Sequence, residues 1–573
     1  MSARAGDIAE LRPRLGRLGS IAGSLHARVA SWPPLYVLGG AVVAQWALVL
    51  AVARTVRHNG WVYYQGGDQL WYYTLARLVS HGRLWQTPVG YLWSFILAPF
   101  ARLAGADLVS ALPGIVLLDV LVLLPIALLA VYGIASRLGG RTFGYWTVLV
   151  WLVLPFVGVL YTNTGYHQRY TELLLPQAFG LTAMADFPTM VAVVVSIYFV
   201  TKTLLDTTPA LTDAAAAGAA AGIAIAIKPS AALILAGPVI ALLVARRARL
   251  LAVVAAAFAL PVVTLAVWKE RGLGNLPLLS SHGSAAPRGV AAIGPLYALN
   301  IHKYFGNLSR HQLALNIDLL REHFWSGHLA VWLLLAGLVA VGRRSLPIFA
   351  LVAGVVLPLA VVKSAYPQAS FEDGSLFRLL MPIYPFFVLG VAALPLLVPG
   401  APSRLGSFRP VWRGPSPQAR AGLVGAALLL AAIVPLAVTA AAKTDGGAFR
   451  AANVVGTQMP IPVDAIGLHA QAQNGTVLLT WQRQRPLGGS VFYRVWRARA
   501  TPGDGLTCAK TSGAASCTLD YGTEVGVTGG AARYDKPPRG TWVYRVGVAA
   551  NWLNDPAYGD VYFTSKPVTV SVP

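Results

Sequence analysis

Charge is scarce in this chain, and negative charge scarcest. Only 12% of its 573 residues are Asp, Glu, Lys or Arg, about half the share of an ordinary soluble domain, which excludes a water-soluble globule. Acids number 22 against 45 Lys and Arg, so few carboxylates are on hand for acid–base or metal chemistry. Cysteine is nearly absent: Cys508 and Cys517 are the two, and neither has a partner at zinc-finger spacing. No glycine-rich phosphate loop and no nucleophile elbow occurs. With cytoplasmic loops that are short, basic and lacking acids to hold a metal, this argues against a nucleotide-sugar donor on the cytoplasmic side.

Apolar sequence is abundant. Hydrophobic residues make up 56% of the chain and the mean hydropathy is +0.60, values of a polytopic membrane protein. A net charge of +23 and a pI near 10.2 would on their own suggest nucleic acid. The basic residues, however, gather in short loops between apolar runs. That is the positive-inside pattern, with added attraction to anionic headgroups, so the expected partner is the bilayer and not nucleic acid.

Residues 1–30 form a basic cytoplasmic N-terminus with Arg4, Arg12, Arg14, Arg17 and Arg28. Val29 to Ala53 carries no charge and ends in Ala51-Val52-Ala53, which imitates a signal-peptidase site. A signal core is about 7–15 residues; this run can span about 30 Å of hydrocarbon, so it reads as an uncleaved first helix. Further spans are expected at 109–135, 142–160, 182–204, in two halves of 213–245, and at 250–268, 329–342, 346–362, 379–398 and 422–441. That makes eleven transmembrane helices within residues 31–445, with external loops 54–108, 161–181, 269–328 and 363–378.

Two places in this walk carry chemistry. In the first loop, Asp68 to Ser80 reads as an amphipathic helix with Leu70, Trp71, Thr74, Leu75 and Leu78 on one side, and 91–103 as another; such aromatic helices suit the headgroup level. The tract 213–245 is interrupted at Lys228-Pro229-Ser230, and proline disfavours the helical conformation of the residue before it. Arg246, Arg247 and Arg249 follow the tract and Lys202 precedes it. With both ends cytoplasmic, the tract is a hairpin whose tip, Lys228, lies within the outer leaflet.

Beyond a linker at 446–461 the pattern changes to short alternating runs, as in Val491-Phe492-Tyr493-Arg494-Val495-Trp496, divided by Gly, Asn and Pro. Residues 462–573 are therefore expected to form a small extracytoplasmic antiparallel β-sandwich. Leu479-Thr480-Trp481 and the run from Tyr544 to Asn551 resemble a fibronectin type III domain. Outside the cytoplasm Cys508 and Cys517 are a candidate local disulfide; inside they are plain thiols.

Four features of the membrane part resemble the GT-C superfamily of glycosyltransferases, which includes protein mannosyltransferases and aminoarabinose transferases. They are Asp68-Gln69-Leu70-Trp71-Tyr72-Tyr73-Thr74-Leu75-Ala76 with Gly90-Tyr91-Leu92 after it, Ala185-Asp186-Phe187-Pro188, Ala226-Ile227-Lys228-Pro229-Ser230, and Phe377-Arg378-Leu379-Leu380-Met381-Pro382. The resemblance implies an α-helical GT-C-like membrane fold in the cytoplasmic membrane. It implies transfer of a sugar from a polyprenyl-phosphate donor to a glycan, lipid or protein acceptor at the outer face. The chain departs from the superfamily in lacking an Asp-Asp, Asp-Glu or Asp-x-Asp pair in the first loop. No cofactor is called for, and a divalent cation stays an open question.

Each candidate has a plainer alternative. Asp68 is either a general base or the cap of its helix, a role worth about 1 kcal/mol; the resemblance favours catalysis. Asp186 is a second acid orienting the acceptor, or a carboxylate favoured at a helix start. Lys228 clamps the carrier phosphate, or is neutralised by Asp119 within the membrane. Arg378 is a phosphate fork or a snorkelling arginine. Glu172, Arg169 and His167 touch donor or acceptor, or are solvated, as are Lys303 and His311; Glu372 and Asp373 face water. A lipid-linked-sugar transporter or flippase, using Lys228 and Asp119 as a midplane pair, and a non-catalytic glycan-binding protein are the competing functions.

Overall fold

The computed structural model describes residues 23–24, 27–55, 68–80, 82–86, 90–104, 108–160, 170–206, 210–270, 279–281, 297–299, 308–323, 325–366, 369, 375–398, 416–448, 461–462, 466–483, 490–500, 506–511, 514–519, 523–551 and 560–573. Helices come first and strands last. Among the described residues, seven helical segments are long and apolar enough to cross a bilayer, which makes the chain an integral membrane protein.

The first segment is α1 (Pro34–Thr55), uncharged until Arg54. Next come α2 (Asp68–Val79), strand β1 (Arg83–Gln86) and α3 (Leu92–Ala104). The following helix, α4 (Leu108–Leu118), passes through a π-helical turn at Asp119–Leu123 into α5 (Leu124–Leu160). Within α5, Gly140 adopts φ 83°, open to glycine because it has no Cβ, and there the helix breaks. One segment, 111–158, thus holds both arms expected at 109–135 and 142–160.

After it come α6 (Asp186–Leu205) and α7 (Leu211–Ile227), which stops at an extended Lys228 (φ −136°, ψ 100°). A 3-10 turn at Pro229–Leu235 leads into α8 (Ala236–Val244). The break at Lys228 is as read from the sequence, and the two arms of this tract are apolar but too short to count as spans singly. For these two reasons, and because the helix Trp325–Arg344, which holds the span expected at 329–342, is not among the seven, the expected eleven crossings are not reached on length and apolarity. The remaining helices are α9 (Ala248–Glu270), α10 (Arg310–His323), α11 (Trp325–Arg344), α12 (Leu346–Ser364), α13 (Ser375–Leu380), α14 (Tyr384–Ala393), α15 (Pro417–Leu428) and α16 (Val434–Ala441).

The face expected to be buried on α2 is not the whole of it. Tyr72, Tyr73, Ala76 and Arg77 are buried along with Leu75 and Leu78, so the helix is enclosed by protein on more than one side. Arg77 donates to the Ala101 carbonyl of α3 at 3.0 Å, tying the two helices of the first loop together. Tyr91, just ahead of α3, donates to the Ala431 carbonyl at 2.7 Å, and burial raises its phenol above the ordinary range, so it stays a donor. Gly90 is pressed against the end of α7, where a Cβ would collide with the carbonyl oxygens of Ala226 and Ile227. Gly90→Ala is expected to destabilise the protein by about 1–3 kcal/mol through this overpacking, read as a lower thermal midpoint in detergent; an unchanged midpoint would contradict the packing.

After α16 the chain forms strand β2 (Lys443–Ala448), which straddles the expected boundary at 445/446 and pairs in parallel with β1, Arg83 opposite Lys443. The C-terminal part is a two-sheet sandwich. One sheet has β3 (His469–Gln473), β4 (Thr476–Thr480) and β9 (Ala532–Asp535), with β4 central. The other places β5 (Ser490–Arg499) between β8 (Thr523–Thr528) and β10 (Gly540–Asn551), which also pairs with β11 (Asp560–Thr564) and β12 (Val568–Val572). Val477, Leu479, Tyr493, Val495, Tyr544 and Val546 alternate inward to make a shared core. Trp496, on the other face of β5 from Val495, is buried in the core of the membrane part instead. A hairpin of β6 (Leu506–Thr511) and β7 (Ala514–Leu519) sets Cys508 and Cys517 in register across from each other, their side chains lying outside those described.

Candidate functional site

The site is built where helix ends meet. Asp186 opens α6 and Lys228 closes α7. A helix N-terminus favours an anion and a C-terminus a cation, so each charge already sits at the end that suits it. The two side chains form an ion pair, with Asp186 almost wholly buried and Lys228 mostly so. Arg378, from α13, brings its Nε to 3.8 Å from the second carboxylate oxygen of Asp186.

A third cation joins them. Lys363, one residue from the end of α12, lines a small cavity together with Asp186 and Lys228, walled by Ser230, Leu359, Leu379 and Pro382. The cavity is about 10 Å³, the room one water needs. Among the described residues the cluster is therefore one carboxylate against three cations. Among the described residues the one carboxylate of the cluster is paired with Lys228 and close to Arg378, and no group of three or more His, Cys, Asp or Glu stands together.

The helix that begins at Asp68 is fastened to both halves of this cluster. Gln69 accepts from the Ala183 backbone N–H at 2.6 Å, and Trp93 of α3 donates to the Ala183 carbonyl at 2.9 Å, in the turn that leads into Asp186. Tyr72 donates to the Ile227 carbonyl at 2.9 Å, the residue before Lys228. The backbone at Asp68 is thus next to a residue that grips the Asp186 segment and one helical turn from a residue that grips the Lys228 segment. The side chain of Asp68 lies outside those described.

The other expected residues divide. Asp186, Lys228 and Arg378 come together. Glu172 falls in a π-helical turn, Tyr170–Leu174, with its side chain outside those described. His167, Arg169, Lys303, Glu372 and Asp373 also lie outside the described residues, and His311 is exposed on α10. The pairing of Lys228 with Asp119 does not occur. Asp119 sits in its π-helical turn, fully buried behind Gly180, and neither of its carboxyl oxygens has a hydrogen-bond partner among the described residues. Lys228 emerges instead at the level of a helix start, where Asp186 waits.

Sequence reasoning passed over Lys363, although a signal was there. On the expected topology it ends a span on the outer side, against the Lys/Arg bias, as do Lys228 and Arg378. Three cations breaking the same rule at one level could have been grouped.

No protein-family model matches the sequence, and no curated protein matches it. Among solved structures the chain is similar to ArnT from Cupriavidus metallidurans bound to undecaprenyl phosphate, with 16% identity, 62% of this chain and 60% of that one covered, and a TM-score of 0.40. It is also similar to the Archaeoglobus fulgidus oligosaccharyltransferase in its apo form, with 15% identity, coverage of 71% and 56%, and a TM-score of 0.35. AglB from the same archaeon, in complex with an inhibitory peptide and a dolichol-phosphate, gives 13% identity, coverage of 71% and 55%, and a TM-score of 0.36. The chain spans 55–60% of the length of these structures, and similarity of this degree assigns neither substrate nor activity.

Proposed function

We propose that this protein is a membrane glycosyltransferase of the GT-C kind, moving a sugar from a polyprenyl-phosphate donor to a glycan, lipid or protein acceptor at the outer face of the cytoplasmic membrane. The observation that carries the reading is the small cavity lined by Asp186, Lys228 and Lys363, with Arg378 beside Asp186, and with the helix that starts at Asp68 hydrogen-bonded to the segments leading into Asp186 and Lys228.

The chemistry follows from the charges. The acceptor hydroxyl oxygen attacks the anomeric carbon, and the bond from that carbon to the carrier phosphate breaks. Asp68 takes the hydroxyl proton as general base. The departing phosphate gains negative charge, which the three cations stabilise without needing to donate a proton. A single displacement of this kind inverts the anomeric centre. Asp186 holds Lys228 and Arg378 in place and keeps the cluster soluble in its buried setting until the anion arrives. Oxidation of Cys508 and Cys517 to a disulfide fits the same outer location. The transporter reading drew on a midplane Lys228–Asp119 pair, which the fold does not form.

Membranes containing the protein, incubated with a panel of labelled polyprenyl-phosphate sugars, are expected to transfer label from one donor, and Lys228→Ala membranes to transfer it at least about tenfold more slowly. Consumption of a nucleotide sugar instead, or equal rates in the variant, would overturn the reading.

A further inference from the structure

We infer that Asn316 is a positioning residue for the phosphate-binding cations: by fastening the end of α12 and Ala369, part-way along residues 365–374, it sets where Lys363 stands relative to Lys228 and Arg378. The inference rests on the proposed function, since it concerns how that site is held.

Lys363 and Arg378 belong to two helices joined by residues 365–374. Lys363 is at the last turn of α12, where the final carbonyls run out of donors from the helix itself; that of Lys363 accepts from the Tyr366 N–H at 3.3 Å, and those after it need partners from outside. Its surroundings supply them. Asn316 of α10 is buried, and its Nδ2 donates to the Ser364 carbonyl at 2.9 Å and to the Ala369 carbonyl at 3.0 Å. Gln312, one turn earlier, donates from Nε2 to the same Ala369 carbonyl at 2.8 Å. The backbone N–H of Ser309 donates to the Ala365 carbonyl at 2.9 Å. Four hydrogen bonds from one stretch of chain thus meet carbonyls within six residues of Lys363.

The packing repeats the pattern. Ala369 and Leu376 are buried in a small apolar cluster with Leu319 and Leu320 of α10 and with Phe377 and Leu379 beside Arg378. The α10 helix is therefore the backing of the segment that carries two of the three cations. Removing the Asn316 amide leaves the Ser364 carbonyl without its donor and the Ala369 carbonyl with Gln312 alone, and the cheapest relief is for the end of α12 to shift, taking Lys363 with it.

The test is a binding measurement on full-length purified protein in detergent, with farnesyl phosphate as probe. Asn316→Leu, near in size and without donors, is expected to weaken binding about tenfold, as Lys363→Ala does, and the double variant to be no weaker than the worse single one, the sign of two residues acting through one contact. Gln312→Ala, which removes a single bond, is expected to give a smaller loss in the same direction and covers the case in which Asn316→Leu does not fold. Full-strength binding in Asn316→Leu while Lys363→Ala fails, or losses that simply add in the double variant, would overturn the inference and leave the phosphate site standing. If the wild-type protein itself does not bind farnesyl phosphate, the phosphate site falls first and this inference with it.

Discussion

Asp68→Asn is expected to slow sugar transfer by about 10²–10⁴-fold, the usual contribution of a positioned general base. The substitution is informative because it separates two roles. Asparagine caps a helix about as well as aspartate does, so a protein in which Asp68 only starts α2 would keep its activity. One in which Asp68 receives the acceptor proton would lose it with its stability unchanged. Asp68→Ala removes both roles and is expected to add a loss of about 1 kcal/mol to the same kinetic defect. The measurement is a rate with the donor identified from the panel, beside a thermal midpoint in detergent. Transfer at the wild-type rate in Asp68→Asn would remove the base from the mechanism.

Asp186→Asn is expected to have the largest effect on stability. It leaves Lys228, Lys363 and Arg378 around a neutral amide, and breaking a buried pair by removing one partner costs about 3–5 kcal/mol. A fall in thermal midpoint, or loss of the protein from the membrane, reports it. Adding Lys228→Met to the first change removes the stranded charge nearest the amide and is expected to restore part of the midpoint without restoring transfer, because the phosphate has lost a cation. A midpoint in Asp186→Asn equal to that of wild type would mean that the carboxylate does not hold the cluster together. Activity returning in the double variant would mean that Lys228 does not serve the phosphate.

What could be read from the sequence was local. Pro229 stops α7 because of what proline does to its neighbour, and that needs no knowledge of the fold. The helix from Asp68, the start of α6 at Asp186 and the inward alternation at Tyr493, Val495, Tyr544 and Val546 were visible for the same reason. Partnership was not visible. Lys228 meets Asp186, 42 residues away in sequence, and Asp119 was the wrong choice because depth in a span gives no bearing around the helix axis. The buried face of α2 was read as one stripe, whereas Tyr72 and Gln69 point to separate neighbours. No periodicity encodes a helix wedged between two others. Lys363 stands out only when the cations are taken together, by the level they share.

The pairing of Arg83–Gln86 with Lys443–Ala448 bears on the order in which the protein can be completed. The first strand leaves the ribosome early, yet its hydrogen-bonding partner is made only after the last membrane helix, and Tyr91 likewise waits for Ala431. At synthesis rates of about 5–20 residues per second, the ground under α2 stays unfinished for tens of seconds. The part of the chain that holds Asp68 is among the first to be translated and among the last to be locked, so the newborn protein has entered the bilayer well before its first loop is complete.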